Sequence, residues 1–455
     1  MAAALPPAPG PRGHWFLGST VAFREDPITF CLEAQQEHGD IVHFRVGFMD
    51  WFLLCHPDHI YDVLQGRADK FWKAKLNKRI FDKFLGNGIL SADGEFWKKN
   101  QKMVRPGFHK ERIEAYARLM VSLTEEMIDG FEEGQSIDMF HNMTELTLAI
   151  VAKCLFDADV RGDAADVGEY MVTINDVLIE HIHAPIPVPR WWPTASNRRK
   201  IRAIDDMRGV IRRIISERRE SEEDRGDLLS MLVFAQDEDG EGMSPKQLED
   251  EAMTLFFAGH ETTALTLTWL WYLVAKNPEV CAKLQDEVDR VLQGREPSVD
   301  DLREMVYLDK VVKEGMRILP SVWTFMRQPV EDVEVGGHLL NKGANIFISP
   351  FVTHRDPRWF PDPEVFKPER WTKDFIKALP KGAYIPFSMG PRVCLGKQFA
   401  LMEARLILAR LVQRLDPDVP ADYEPELMPQ LALRPKDGMP GVVRFRSPPR
   451  HEAAS

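Results

Sequence analysis

Hydrophobic and polar positions change their spacing along the chain, and each change marks a different kind of element. Residues 1–14, small and proline-rich, predict an extended tail. Ile41 to Phe48 and Trp51 to Cys55 are short β-rich runs, which predict a hairpin turning at Met49-Asp50. From about Phe71 to Leu292 the pattern is mainly helical, broken by turns that contain Pro and Gly. Ala184 to Pro193 carries four prolines and the pair Trp191-Trp192, so it reads as a loop between helices. The charged runs Glu217 to Asp227 and Asp237 to Gly242 read as solvated connections. After Pro329, Val333 to Val335 and Ala344 to Ile348 predict strands; a long loop rich in Pro and aromatics follows, then a last helix over Lys397 to Leu415. There is no internal repeat. The expectation is a mainly α fold with a small β part, as one domain over residues 15–455 behind the tail.

The longest helical pattern has clear ends. Ser244-Pro245 supplies a capping hydroxyl followed by Pro in the first turn, and Asn277-Pro278 stops the run. A helix from Gln247 to about Lys276 would be roughly 45 Å long, enough to cross a whole domain. Ala252 to Ala275 is mostly apolar, which raises the question of a membrane span. Glu261 near its centre would cost on the order of 2.5 kcal/mol or more in lipid, and Glu249, Asp250 and Glu251 flank it. The pattern predicts a buried central helix instead.

Composition narrows the function classes. Hydrophobic residues at 44% and charged residues at 28% fit a globular protein with a large core. A net charge of −12 disfavours general affinity for nucleic acid or anionic membranes. The N-terminal segment has no basic stretch followed by an apolar core, so no leader or membrane anchor is expected and the cytoplasm is the expected address. The 5 cysteines are scattered without Cys-x-x-Cys spacing, which argues against a disulfide framework or a structural zinc site.

One cysteine stands out. Phe387-Ser388-Met389-Gly390-Pro391-Arg392-Val393-Cys394-Leu395-Gly396 places Cys394 between two glycines and just before a helix with Phe399, Met402, Leu406 and Ala409 on one face. The helix N-terminus should favour thiolate, and Gly390 and Gly396 would let the backbone pass close to a flat ligand. On spacing alone an inert core cysteine fits as well. In the long helix, Ala258-Gly259 removes bulk where a ligand could press, and Glu261-Thr262 sets an acid beside a hydroxyl, the components of a proton relay.

The segment Phe387 to Gly396 resembles the haem-binding signature of the cytochrome P450 family, Phe-x-x-Gly-x-Arg-x-Cys-x-Gly, at every fixed position. The resemblance implies the cytochrome P450 fold and a haem-thiolate monooxygenase with haem b (iron protoporphyrin IX), Cys394 being the axial iron ligand. It further implies that Glu261 supplies protons and Thr262 holds the relay, with Ala258 against the haem. Glu314, Arg317 and Arg370 would form a buried structural network, and Arg327 would bind a haem propionate. Trp97 matches the family's Trp-x-x-x-Arg helix, but Gln101 stands where that pattern has Arg, which weakens this propionate contact. Phe387, Arg392 and Gly396 would line the haem. A peroxide-dependent or isomerising haem-thiolate enzyme, or a sensor, remains an alternative.

No dinucleotide fingerprint is present, so a separate partner is expected, a ferredoxin or flavodoxin with its reductase. Lys98, Lys99, Lys102, Arg105 and Lys110 form either its docking face or an ordinary solvated helix. By resemblance the substrate is a hydrophobic small molecule, fatty acid or terpenoid, contacting Phe71 to Leu90, Ala258 and the stretch after Pro320. Lys73, Lys75, Lys78, Arg79 and Lys83 could meet a fatty carboxylate or simply face solvent. A monomer is expected.

Overall fold

The computed structural model describes residues 5–82, 84–108, 114, 116–157, 170, 192, 194–221, 223–236 and 240–446. The hairpin is set by one glycine. Gly47 has φ +60°, the conformation a two-residue turn needs at its first central position. Strand β1 (Ile41–Val46) therefore pairs antiparallel with β2 (Met49–Leu54), and Val46 faces Met49. The turn is Gly47-Phe48, two residues before the expected position, and Met49-Asp50 belongs to the strand.

Three further strands complete this sheet: β3 (Phe71–Lys73), β4 (Phe325–Pro329) and β5 (Asn345–Ile348), in the order β1-β2-β5-β4-β3. The β2–β5 pairing is parallel and the rest are antiparallel. Strands of 3 and 5 residues are too short to show a period, which is why the sequence pattern passes over β3 and β4. Their register sets Lys73 opposite Arg327, two cations directly across a ladder.

The rest is mainly helical: α1 (Gly94–Val104), α2 (Ala117–Asp129), α3 (Met139–Phe156), α4 (Ala195–Ser221), α5 (Pro245–Lys276), α6 (Pro278–Leu292), α7 (Val306–Ile318) and α8 (Lys397–Arg414). Helix α5 has 32 residues and is about 48 Å long. Ser244 Oγ accepts the Gln247 N–H and Pro245 occupies the first turn, so the helix begins two residues earlier than expected. It packs against α3, α4, α7 and α8. Such a helix is buried nearly all round, each large apolar side chain adding roughly 1.5–3 kcal/mol. The break in that burial is informative. Ala258 is exposed and Thr262 and Thr266 are half-buried, at i, i+4 and i+8, so one stripe of α5 faces open space.

A C-terminal hairpin, Leu427–Pro429 with Leu433–Pro435, closes over α5. The Trp269 indole donates to Leu433 O (3.0 Å) and the Trp323 indole to Gln430 O (2.7 Å), which pins it in place. The run Glu217 to Asp227 is exposed at most of its described residues, as expected, but it is not all connection. Helix α4 extends through it to Ser221, and Arg218 and Asp227 form a buried ion pair of 2.6 Å. Arg218 needs that partner because a buried guanidinium alone is costly. The loop Ala184 to Arg190, Trp191 and Pro193 lie outside the described residues, as do Lys83, Lys110 and Asp237 to Asp239. Among the described residues no helix is long and apolar enough to cross a membrane.

Candidate active site

Cys394 sits at the end of a tight loop. Gly390 to Arg392 forms a single 3₁₀ turn, and the Cys394 N–H donates to Phe387 O at 3.0 Å. Gly390 has φ +71°, and a Cβ there would lie 1.9 Å from Leu64 O. Gly390 is thus needed for close backbone packing against Leu64. Gly396 does border the open side, where a Cβ would stand 3.9 Å from Cys394 Sγ. The thiol opens on a cavity of about 370 Å³. Burial raises its pKa, while the Gly396 and Lys397 N–H groups and the Lys397 ammonium pull the other way. Burial outweighs them in the haem-free chain, although the helix terminus acts in the direction the sequence predicts.

Across the cavity lies the open stripe of α5, with Ala258, Gly259, Thr262 and Thr266 on the wall. Thr262 Oγ1 donates to Ala258 O (2.9 Å). Glu261 also lines the cavity, and its Oε1 accepts from Arg434 Nε at 2.6 Å. His260 beside it is a packed, buried side chain whose pKa is lowered chiefly by burial. The remaining wall is largely apolar: Phe81, Ile89, Leu90, Val322, Phe325 and Leu431 among others. Ile89 is held by its N–H, which donates to Glu251 Oε2 (2.9 Å). Asn100 Nδ2 donates to the other oxygen, and burial pushes this carboxyl up to about 7.

One corner of the cavity is cationic. Arg327 on β4 is buried, and its Nη1 donates to Met326 O. Burial and the neighbouring Arg392 lower it to about 10. Lys73, opposite on β3, is lowered to about 7 by burial and by both arginines. Arg392 stacks over the Trp97 ring at 3.9 Å and donates to Asp93 Oδ1 at 2.5 Å. Burial lowers it to about 10 as well. Gln101 Nε2 donates to Pro391 O (2.8 Å), tying α1 to the Cys394 loop.

The sequence profile described as Cytochrome P450 matches residues 7–441. The chain belongs to the cytochrome P450 family. Similar curated proteins include cyclooctatin synthase of Streptomyces melanosporofaciens, 33% identical over 97% of this chain and 95% of that one. Cyclooctat-9-en-7-ol 5-monooxygenase of the same organism is 34% identical, over 88% and 86%. Pentalenene oxygenase of Streptomyces avermitilis is 30% identical, over 88% and 89%. A retinoic acid-bound cyanobacterial structure, CYP120A1, superposes with a TM-score of 0.87 at 25% identity, covering 97% of this chain and all of that one. The chain is accordingly a haem-dependent monooxygenase that works with a redox partner on a hydrophobic substrate.

The cationic corner fits the haem. Lys73, Arg327 and Arg392 face Asp93, three cations against one carboxylate, at the edge of a slot between Cys394 and α5. Buried surplus charge is costly unless an anion joins it, and the two haem propionates are such an anion. Phe387, Trp97, Gln101 and Gly396 line the same slot.

Glu314, Arg317 and Arg370 meet away from the cavity. Glu314 accepts from Arg317 Nη2 (2.9 Å), Arg370 Nε (2.8 Å) and the Trp371 indole (2.9 Å), all of them buried. Of the expected substrate contacts, Phe81, Val322 and Phe325 reach the cavity wall. Phe71, Phe84 and Trp323 are packed into the core, and Trp72 is exposed. Lys75 and Lys78 are not on the wall; Lys83 and the Arg79 side chain lie outside the described residues. Sequence reasoning missed Arg434, Asp93, Ser321 and Thr266. The fold-back of the C-terminal hairpin brings in Arg434, the pairing with Arg392 brings in Asp93, and the packing of the loop after α7 on α5 sets Ser321 against Thr266.

Proposed function

We propose that this cytochrome P450 hydroxylates a terpenoid in the apolar part of the cavity, with Cys394 as axial iron ligand. The observation that carries the reading is the open stripe of α5 facing Cys394 across one apolar cavity. Bound there, the haem supplies the redox chemistry that activates dioxygen and inserts one oxygen atom into a C–H bond. Cys394 would hold the haem iron through its sulfur, which would supply electron density to it. Arg327, Lys73 and Arg392 hold the propionates. Ala258, small and exposed on the cavity wall, would leave room for the haem. Glu261, oriented by Arg434, and Thr262 would hold and pass protons at their carboxylate and hydroxyl oxygens on this wall of the cavity. The apolar walls exclude water and orient the skeleton.

The names of the relatives support a terpenoid substrate, since two of them are oxygenases named for cyclooctat-9-en-7-ol and pentalenene. A fatty carboxylate would need a cation, and the cations on the wall sit at the propionate end. Electrons come from a ferredoxin or flavodoxin with its reductase. The exposed Lys98, Lys99 and Lys102 of α1, and Arg105 just beyond it, support this, because Gln101 ties that helix to the Cys394 loop and local positive charge steers an acidic partner. The enzyme acts as a cytoplasmic monomer. Optical spin-state titration of the haem-loaded protein tests the substrate class. Terpenoids are expected to shift it; a shift with fatty acids alone would contradict the reading.

A further inference from the structure

The hydroxyl groups of the cavity wall share a feature that bears on what they can recognise. Each hydroxyl has one proton to donate and two lone pairs that accept. Thr254 Oγ1 donates to Asp250 O (2.7 Å), Thr262 to Ala258 O (2.9 Å) and Thr263 to Gly259 O (3.2 Å). Thr266 donates to Thr262 O (2.8 Å), and Thr324 to Ile348 O (3.2 Å). All five line the cavity. A carbonyl cannot donate, so in each of these contacts the hydroxyl proton is engaged.

Ser321 is the remaining hydroxyl on the substrate side, on the loop after α7. Its Oγ lies 3.1 Å from Thr266 Oγ1. Either oxygen can donate in that contact; with the Thr266 proton on Thr262 O, its shorter contact, Ser321 is the donor. Ser321 is fixed from behind, since its own carbonyl accepts the Leu433 N–H at 2.8 Å. Its Oγ therefore turns lone pairs, and no proton, towards the cavity. The same holds for Thr324. Charged donors lie at the other end, with Trp97 and Gln101, and Arg434 is held by Glu261.

We propose that Ser321, oriented by Thr266, accepts a hydrogen bond from a hydroxyl group on the substrate, and that the substrate is a terpene alcohol. This rests on the reading that the apolar part of the cavity holds a terpenoid. A ketone or ether would set lone pairs against lone pairs. A carboxylate would be desolvated with no cation beside it. A plain hydrocarbon would leave the Ser321 oxygen stripped of water and unpaired. An alcohol satisfies it, and its position fixes which carbon faces the reacting centre. Ser321 is on this account a specificity residue and Thr266 a positioning residue.

The test uses the haem-loaded enzyme and matched ligands on several terpene skeletons: the alcohol, its methyl ether, the ketone and the parent hydrocarbon, with a fatty acid of similar size. Spin-state titration is expected to give the alcohol the tightest binding, by on the order of tenfold over hydrocarbon and ether. Ser321→Ala should remove that preference by weakening the alcohol and leaving hydrocarbon binding as tight or tighter, which also reports an intact cavity. Thr266→Val frees the Ser321 proton, so preference should move towards the ketone. Equal wild-type binding of alcohol and hydrocarbon, or an alcohol preference that survives Ser321→Ala, would overturn the proposal while leaving the terpenoid reading in place. Response to the fatty acid and to none of the terpenes would overturn both.

Discussion

Of the buried charge clusters among the described residues, those around Glu314 and Arg327 are built in opposite ways. Around Glu314 every strong group has a partner. Both carboxylate oxygens accept, from Arg317, Arg370, the Trp371 indole and the Lys367 N–H. The spare N–H groups of Arg317 reach the carbonyls of His354, Pro363 and Val365, and those of Arg370 reach Pro361, Asp362 and Val365. Around Arg327 the valence is left open: Lys73 and Arg392 crowd it, and Asp93 is the acid that offsets them. A closed cluster is framework, because it needs nothing more. An open one is a binding site, because its cost is relieved only when an anion arrives.

That contrast predicts opposite signs for similar substitutions. Arg317→Ala should destabilise the protein with and without haem by about 3–5 kcal/mol, since it strands Glu314 in the interior. Denaturant unfolding would measure this, and a loss confined to the haem-bound form would break the distinction. Arg327→Met should leave the haem-free protein as stable or more stable, while weakening haem affinity roughly ten- to a hundredfold, as expected for losing a charged hydrogen bond. Haem transfer to a scavenger protein reads that directly.

Lys73 gives a pH signature of the open cluster. Its folded pKa of about 7 lies below the unfolded lysine value of about 10.4. Between those values the unfolded chain binds the extra proton, so stability of the haem-free protein rises as pH is raised from 7 towards 10. Below pH 7 the full cost of the charge is present. Lys73→Met should flatten this rise, and bound haem should flatten it in the wild type. Thr262→Ala touches neither cluster and should shift stability least. It should still bind haem yet divert electrons to peroxide, and unchanged coupling of NAD(P)H use to product would count against the proton path.

What the sequence displays, and what it hides, follows the same division between local and distant. The Cys394 segment and the ends of α5 are readable because each is one contiguous stretch whose glycines, cap and prolines act on their own neighbours. The Glu314–Arg317 pair is readable for the same reason, being one turn of α7. Lys73 is not, because its meaning comes from standing opposite Arg327 on a strand too short to announce itself. Arg434 lies 173 residues from Glu261 and carries no local signal at all. Ser321 looks like any loop serine until the Thr266 proton is assigned. The turn at Gly47 and the buried Arg218 teach a further caution: polar character misplaces an element when a single φ angle or a single ion pair decides it.

The central claim is that Cys394 binds the haem iron through sulfur, and the carbon-monoxide difference spectrum of the reduced protein tests it most directly. Wild type should show the red-shifted Soret band of thiolate ligation, and Cys394→Ser should lose that band while any haem it retains behaves as an oxygen- or nitrogen-ligated species. A thiolate band that persists in Cys394→Ser would contradict the account.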